Sequence, residues 1–106
     1  MKLGIIISTD EPETAWNAYR LGVHALEQGD SVRVFLLGRG VDSEKGHPQF
    51  DVKAQIATYT KKGGEIYACG TCMKLREMES SKTCPLSTMK DLYQIVKDSD
   101  KVLTFG

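Results

Sequence analysis

Two cysteines separated by two residues are the groups in this chain best suited to covalent chemistry. The segment reads Ala68-Cys69-Gly70-Thr71-Cys72, and its pattern predicts a strand ending at Cys69, a turn, and then a short helix. A thiol at such a junction lies near unpaired backbone N–H groups and the positive end of a helix dipole. Lowering the pKa of a cysteine from about 8.5 to about 6.5 raises its thiolate fraction at pH 7 from roughly 3% to roughly three-quarters. A cysteine at such a junction can therefore become a ready sulfur nucleophile.

The residues alone leave four interpretations of the cysteines open. Cys69, Cys72 and Cys84 are the only cysteines, and they could all be buried residues of a non-catalytic binding or scaffold module, since free cysteine is often buried. Three thiolates with His47 could instead hold a metal, although structural zinc usually shows a second paired motif. A Cys-x-x-Cys pair also suits thiol–disulfide redox chemistry. Finally, an activated thiol can accept sulfane sulfur as a persulfide, with a second thiol releasing it by exchange.

A Gly-x-Gly fragment after the second predicted strand is a weaker signal. Gly38-Arg39-Gly40 is typical of a flexible turn, and its functional interpretation is an anion contact by Arg39. The turn after the first predicted strand, residues 8–12, carries two carboxylates and no glycine. It therefore cannot wrap a pyrophosphate, and we expect no dinucleotide site.

Composition excludes several classes of function. The chain has 106 residues, which suits one domain over 1–106. Its 14 basic and 14 acidic residues cancel, so we expect neither a nucleic-acid nor an anionic-membrane partner. No apolar run approaches the roughly 20 residues that a membrane span needs. The first residues lack the pattern of a signal peptide, and three cysteines do not suggest a disulfide framework, so we expect a cytoplasmic protein with reduced thiols.

Alternating strand and helix patterns predict the scaffold that positions these residues. Nearly continuous apolar segments predict strands at 3–8, 32–37, 65–69 and 101–105. Helical spacing of apolar residues predicts three helices: one capped by Asp10 and ended by Gly29, one over 52–62, and one over 87–98 capped by Ser87. The sequence is therefore of the α/β class, and we expect a three-layer α/β/α sandwich with a mostly parallel sheet of four to five strands.

The chain as a whole resembles the DsrE/DsrF-like family. The resemblance rests on the turn 69–76, the opening helix 11–21, the segment 34–38 followed by Gly40 and Val41, and the ending 99–105. It implies a compact α/β/α domain that assembles into homotrimers or homohexamers. Characterised members of the family relay sulfur in sulfur oxidation or tRNA thiolation, so the resemblance implies a sulfurtransferase that works as a persulfide carrier.

The same resemblance assigns roles to the residues of the turn. The persulfide-bearing cysteine of the family maps onto Cys69, and Cys72 matches a second cysteine found in some members. We expect the backbone of Gly70 and Thr71, together with Arg39, to contact the sulfur-bearing substrate. The implied partners are a sulfur donor protein and a sulfur acceptor protein. The implied sulfur relay needs no metal and no cofactor.

Overall fold

Five parallel strands form one sheet in the computed structural model, which describes residues 1–75 and 86–106 except for the side chains of Cys72, Lys74, Leu75 and Leu86. The strands are β1 (Lys2–Ile7), β2 (Ser31–Leu36), β3 (Glu65–Cys69), β4 (Leu86–Ser87) and β5 (Lys101–Phe105). Their order across the sheet is β4-β3-β2-β1-β5, and every neighbouring pair is parallel. All five carboxyl ends therefore lie at one edge of the sheet.

Helices cover both faces of this sheet. They are α1 (Pro12–Glu27), a 3₁₀ helix (Gly38–Lys45), α2 (Val52–Lys61), α3 (Gly70–Leu75) and α4 (Met89–Asp98). Helices α1 and α2 pack on one face, and α4 packs on the other. This arrangement confirms the three-layer α/β/α prediction. No helix within the described ranges combines the length and apolar character of a membrane-spanning segment.

The face of the sheet that α1 and α2 cover carries the larger core. Side chains alternate between the two faces along each strand. On β1, Leu3, Ile5 and Ile7 point to α1 and are buried. Helix α2 is fixed to the same face by Tyr59, whose buried hydroxyl donates to the carbonyls of Val32 (3.1 Å) and Glu65 (2.8 Å). Burial raises the pKa of Tyr59, so the phenol stays a donor and ties α2 to the amino ends of β2 and β3.

The second face has a smaller core beneath α4. Phe35, Cys69 and Ile95 form its buried centre. Gly4 permits the close approach of this helix, because an added Cβ would lie 2.8 Å from the Ser99 hydroxyl and 3.1 Å from Cγ2 of Ile95. At the carboxyl edge of the sheet, α4 covers the side chain of Cys69.

The predicted start of α1 is wrong by one residue. Glu11, not Asp10, is the N-cap, and its carboxylate accepts from the backbone N–H groups of Glu13 (3.1 Å) and Thr14 (2.7 Å). Pro12 sets this boundary, since its fixed φ and missing N–H suit the first helical position. The predicted end of the helix is confirmed, because Gly29 follows it at a φ of 89°.

The predicted start of α4 is also wrong. Thr88, not Ser87, is the N-cap, and the carboxylate of Asp91 accepts from the Thr88 N–H at 2.7 Å. Ser87 belongs to β4, a strand that the sequence analysis does not predict. A strand of two residues has no periodicity to detect, and it exists only because it pairs with the end of β3.

The segment after β2 is helical, whereas the sequence of Gly38-Arg39-Gly40 predicts a flexible turn. Residues 38–45 form the 3₁₀ helix, and the Ser43 hydroxyl donates to the Gly40 carbonyl at 2.6 Å. Gly40 lies against the end of β1, where an added Cβ would be 1.9 Å from the Ile7 carbonyl oxygen. The second glycine of Gly-x-Gly is therefore required by close packing of the backbone, rather than by flexibility.

Candidate functional site

Cys69 ends β3 at the carboxyl edge of the sheet. Its thiol is free and its side chain is only 5% exposed. The thiol lies on the α4 face with Phe35 and Ile95, and Leu37 and Leu92 pack against this group. Ligands of open parallel sheets gather beyond the carboxyl ends of the strands. Cys69 is thus in the right place for chemistry, but most of its surface is covered by apolar side chains.

The chain turns directly from β3 into α3 at the cysteine. Gly70 is the first residue of this helix and is half-buried, whereas Thr71 is exposed. The predicted strand end and the short helix are confirmed, but Gly70 and Thr71, which the sequence predicts to form a turn, already belong to the helix. The Cys72 side chain and all of Cys84 lie outside the described residues. Their predicted roles as an auxiliary thiol and as a possible ligand remain predictions.

Arg39 lies at the same edge of the sheet as Cys69. It is an exposed residue of the 3₁₀ helix that follows β2, and this helix contacts α3. The register between β2 and β3 pairs Leu36 with Ala68, so the turns that follow the two strands are neighbours. The fold therefore brings Arg39 and Thr71 to adjacent turns, as the predicted substrate contacts require.

Ser87 is a residue of this site that sequence reasoning missed. Its Cα pairs with that of Cys69 across β3 and β4, and its side chain is also 5% exposed. Paired residues of neighbouring parallel strands point to the same face, so the Ser87 hydroxyl and the Cys69 thiol share one buried region. No local pattern could reveal this, because the pairing joins residues from separate turns of the chain.

Arg33, Glu65 and Asp98 form a charged group at the other end of this face. Arg33 is 3.6 Å from the carboxylate of Asp98 and 4.0 Å from that of Glu65. Tyr67 donates to Glu65, and this hydrogen bond raises the pKa of the tyrosine. These groups belong to the amino halves of β2 and β3 and the last turn of α4. Among the described side chains that pack with Cys69, the environment is therefore mostly apolar.

Both histidines are exposed, His47 in the segment before α2 and His24 on α1. His47 is exposed, and its Nδ1 accepts from the backbone N–H of Gln49 at 3.1 Å. His24 is exposed on α1, as its position among polar residues predicts. Among the side chains that the structure describes, no three of His, Cys, Asp or Glu are grouped to hold a metal ion.

Trp16 packs partly against the core of the first face. Its ring lies 5.3 Å from that of Phe50, measured between centroids, and the guanidinium of Arg20 lies 4.4 Å above it. The tryptophan thus joins α1 to the segment before α2.

Comparisons with known proteins agree with this architecture. An uncharacterized protein of Methanopyrus kandleri, MK0008, is 35% identical over 100 residues, covering 88% of this chain and 83% of its own. An uncharacterized protein of Methanocaldococcus jannaschii, MJ0989, is 34% identical over 118 residues, covering 99% of this chain and 100% of its own. Neither relative supplies an activity.

Two solved structures share the fold. The YchN protein of E. coli superposes with a TM-score of 0.83 at 24% identity, over 99% of this chain and 100% of its own. BT1422, a conserved protein of unknown function from Bacteroides thetaiotaomicron, superposes with a TM-score of 0.78 at 21% identity, over 97% of this chain and 93% of its own. The model of the DsrE/DsrF-like family matches residues 1–105. With the fold, the cysteine turn and this match in agreement, the chain belongs to the DsrE/DsrF-like family.

Proposed function

We propose that this protein relays sulfur, with Cys69 accepting sulfane sulfur as a persulfide and passing it to a thiol of a partner protein. Membership in the DsrE/DsrF-like family points to sulfur relay in general. The observation that carries the proposal to one residue is the free thiol of Cys69 at the carboxyl edge of the sheet, where β3 turns into α3.

The proposed transfer needs no outside oxidant or reductant. The Cys69 thiolate attacks the outer sulfur of a donor persulfide, a new S–S bond forms on Cys69, and the donor's own S–S bond breaks. The donor leaves as a thiolate and takes up a proton. An acceptor thiolate then attacks the outer sulfur on Cys69, which leaves as the regenerated thiolate. Both steps are thiol exchange at a sulfane sulfur.

The apolar cover of Cys69 has two consequences for this reaction. It shields a persulfide from water and from other thiols, which suits a carrier. It also removes solvent that would stabilise a thiolate, so hydrogen-bond donors within the protein must replace it. We propose that backbone N–H groups of Gly70, Thr71 and Cys72 contribute, since the first N–H groups of a helix have no partner inside it. Exposed Arg39 would attract the anionic partner group.

Intact mass after incubation with glutathione persulfide tests the proposal. We expect wild type to gain about one sulfur (~32 Da) and to lose it on reduction, as a covalent sulfur intermediate requires. Cys69→Ser should gain none, and Cys72→Ser, the matched control, should still load. Unchanged loading of Cys69→Ser would overturn the proposal, and a loss of two hydrogens in wild type would identify a Cys69–Cys72 redox pair instead.

The burial of Cys69 favours a second candidate, a non-catalytic binding or scaffold module. Cys69 is 5% exposed, and the scaffold interpretation predicts that such a thiol reacts slowly in the native protein. Titration of native thiols with a disulfide reagent separates the candidates. If Cys69 is labelled only as fast as the protein unfolds, the scaffold is supported. If Cys69 is labelled much faster than the protein unfolds, the relay is supported.

A further inference from the structure

The pairing of β4 with β3 places a hydroxyl beside the proposed sulfur carrier. β4 has two residues, and its second residue, Ser87, is in register with Cys69. Neighbouring strands lie about 4.8 Å apart, so two short side chains on the same face are within reach of each other. Both side chains are nine-tenths buried or more.

The face that they share follows from their neighbours. Ala68 packs in the core beneath α1, whereas Cys69 packs with Phe35 and Ile95 beneath α4. Because the strands are parallel and in register, Ser87 shares the face of Cys69. The hydroxyl therefore lies on the side of the sheet where the thiol lies.

We propose that Ser87 is a positioning residue, whose hydroxyl donates a hydrogen bond to the Cys69 sulfur and stabilises the thiolate that attacks sulfane sulfur. This inference rests on the proposed function and names a residue that supports it. A hydroxyl can donate to sulfur while its lone pairs accept from another group, so the role is compatible with other contacts of Ser87. Charge-assisted bonds of this kind are about twice as strong as neutral ones.

Other titratable groups of this face lie at its other end, bond elsewhere or cannot donate to sulfur, since the carboxylate of Asp91 accepts from Thr88. Such groups on this face include Lys2 at the start of β1, Arg33 of β2, Glu65 and Tyr67 of β3, and Asp91 and Asp98 of α4. Arg33 is engaged by Glu65 and Asp98, and Tyr67 donates to Glu65. Ser87 is the polar side chain that the strand register sets against the thiol.

The test is the pH profile of Cys69 alkylation in the folded full-length protein, followed by peptide mapping so that each cysteine is counted separately. Ser87→Thr and Ser87→Val have the same shape and differ in the hydroxyl. We expect Thr to keep the wild-type profile. Val and Ser87→Ala should alkylate about tenfold more slowly at pH 7 and reach the same rate at high pH, because only the thiolate reacts.

Two outcomes of the alkylation experiment would overturn this role. One is an equal profile for the Thr and Val variants, which would show that shape and not the hydroxyl matters. The other is a wild-type profile for Ser87→Ala. Thermal unfolding of each variant verifies that it is folded at the temperature used.

Sulfur loading separates the failure of this inference from the failure of the proposed function. If Cys69→Ser loads sulfur like wild type, the relay by Cys69 is wrong, while the alkylation profiles still decide whether Ser87 stabilises the thiolate. If Cys69 loads and the Ser87 variants load at the wild-type rate at pH 7, the relay stands and the role of Ser87 is wrong. We expect loading of Ser87→Val to slow about tenfold, in parallel with alkylation.

Discussion

Gly40 shows how one residue fixes the edge of the sheet that carries Cys69. Replacing Gly40 with Ala would place a methyl group 1.9 Å from the Ile7 carbonyl oxygen and 2.7 Å from its carbonyl carbon. Both atoms belong to the backbone, so they can move only if the 3₁₀ helix or the end of β1 moves. We therefore expect Gly40→Ala to lower the free energy of unfolding by about 3 kcal/mol or more, measured by urea denaturation.

Gly38→Ala is the matched control in the same turn. An added Cβ at Gly38 meets no atom within 4 Å, and only its φ of 55° opposes the change. The cost of this left-handed conformation is about 1–2 kcal/mol. Equal stability of the two variants would show that the contact with Ile7 is not what demands the glycine at position 40.

Single residues of the candidate site differ in how well the sequence predicts them. Cys69 stands out because its residue type and the strand signal before it are both local. Its burial is not local, since α4 is more than 15 residues later in the chain and still supplies Ile95 to its cover. Ser87 is beyond local prediction for the same reason, because its importance comes from a register between two strands.

At the scale of elements, the start of α1 depends on one carboxylate. The hydrogen bonds from Thr14 and Glu13 lower the pKa of Glu11, so the folded protein binds this proton less tightly than the unfolded chain does. Its stabilising contribution is therefore complete above the ordinary glutamate pKa of about 4.3 and is lost as the pH falls through the lower pKa of the folded state.

Glu11→Gln isolates this contribution. We expect the variant to be less stable than wild type at neutral pH, and the difference to shrink as the pH falls below about 4.3 and Glu11 is protonated. Thermal unfolding at a series of pH values measures it. Glu13→Gln is a matched control, because Glu13 lies in the same turn but does not cap the helix through its side chain. A difference that stays constant with pH would contradict the role of the Glu11 charge.

Helix and strand interiors are predicted better than helix starts for a physical reason. The periodicity of α1 extends over four turns and indicates its buried face. Its first residue depends instead on the competition among Asp10, Glu11 and Pro12. Aspartate is the stronger general cap, but Pro12 occupies the first helical position and leaves the cap to Glu11.

At the scale of the molecule, α4 carries a row of exposed apolar side chains. Met89, Tyr93 and Val96 are 55%, 64% and 46% exposed and follow one another along one side of the helix. A monomer would leave this row in water. The predicted homotrimer or homohexamer offers a cover for it, with a second copy of the chain as the occupant.

We expect Tyr93→Ser to weaken self-association by at least about tenfold, since a central aromatic residue often dominates an interface. Light scattering over a range of concentrations measures the mass of the assembly. Gln94→Ser is the control, because Gln94 is an exposed neighbour whose side chain bonds to Asp98 within its own helix. A wild-type mass equal to that of one chain, or an unchanged assembly in Tyr93→Ser, would contradict the prediction.

The whole architecture was largely predictable because its signals are regular. Apolar strands that alternate with amphipathic helices dictate a parallel sheet covered on both faces. The strand order β4-β3-β2-β1-β5 has no comparable local signal. It arises from which edges remain free once β1 and β2 have paired, and it determines which turns meet at the carboxyl edge.

The contact between Trp16 and Phe50 has an optical consequence. Trp16 is the only tryptophan of the chain, so its fluorescence comes from one known place. Its ring contacts both the guanidinium of Arg20 and the ring of Phe50, and Phe50 belongs to the segment that leads from the 3₁₀ helix to α2. Emission wavelength and quenching of the unlabelled protein therefore report directly on whether this segment is docked on α1. The native chain thus contains its own spectroscopic probe of the 3₁₀-helix side of the carboxyl edge.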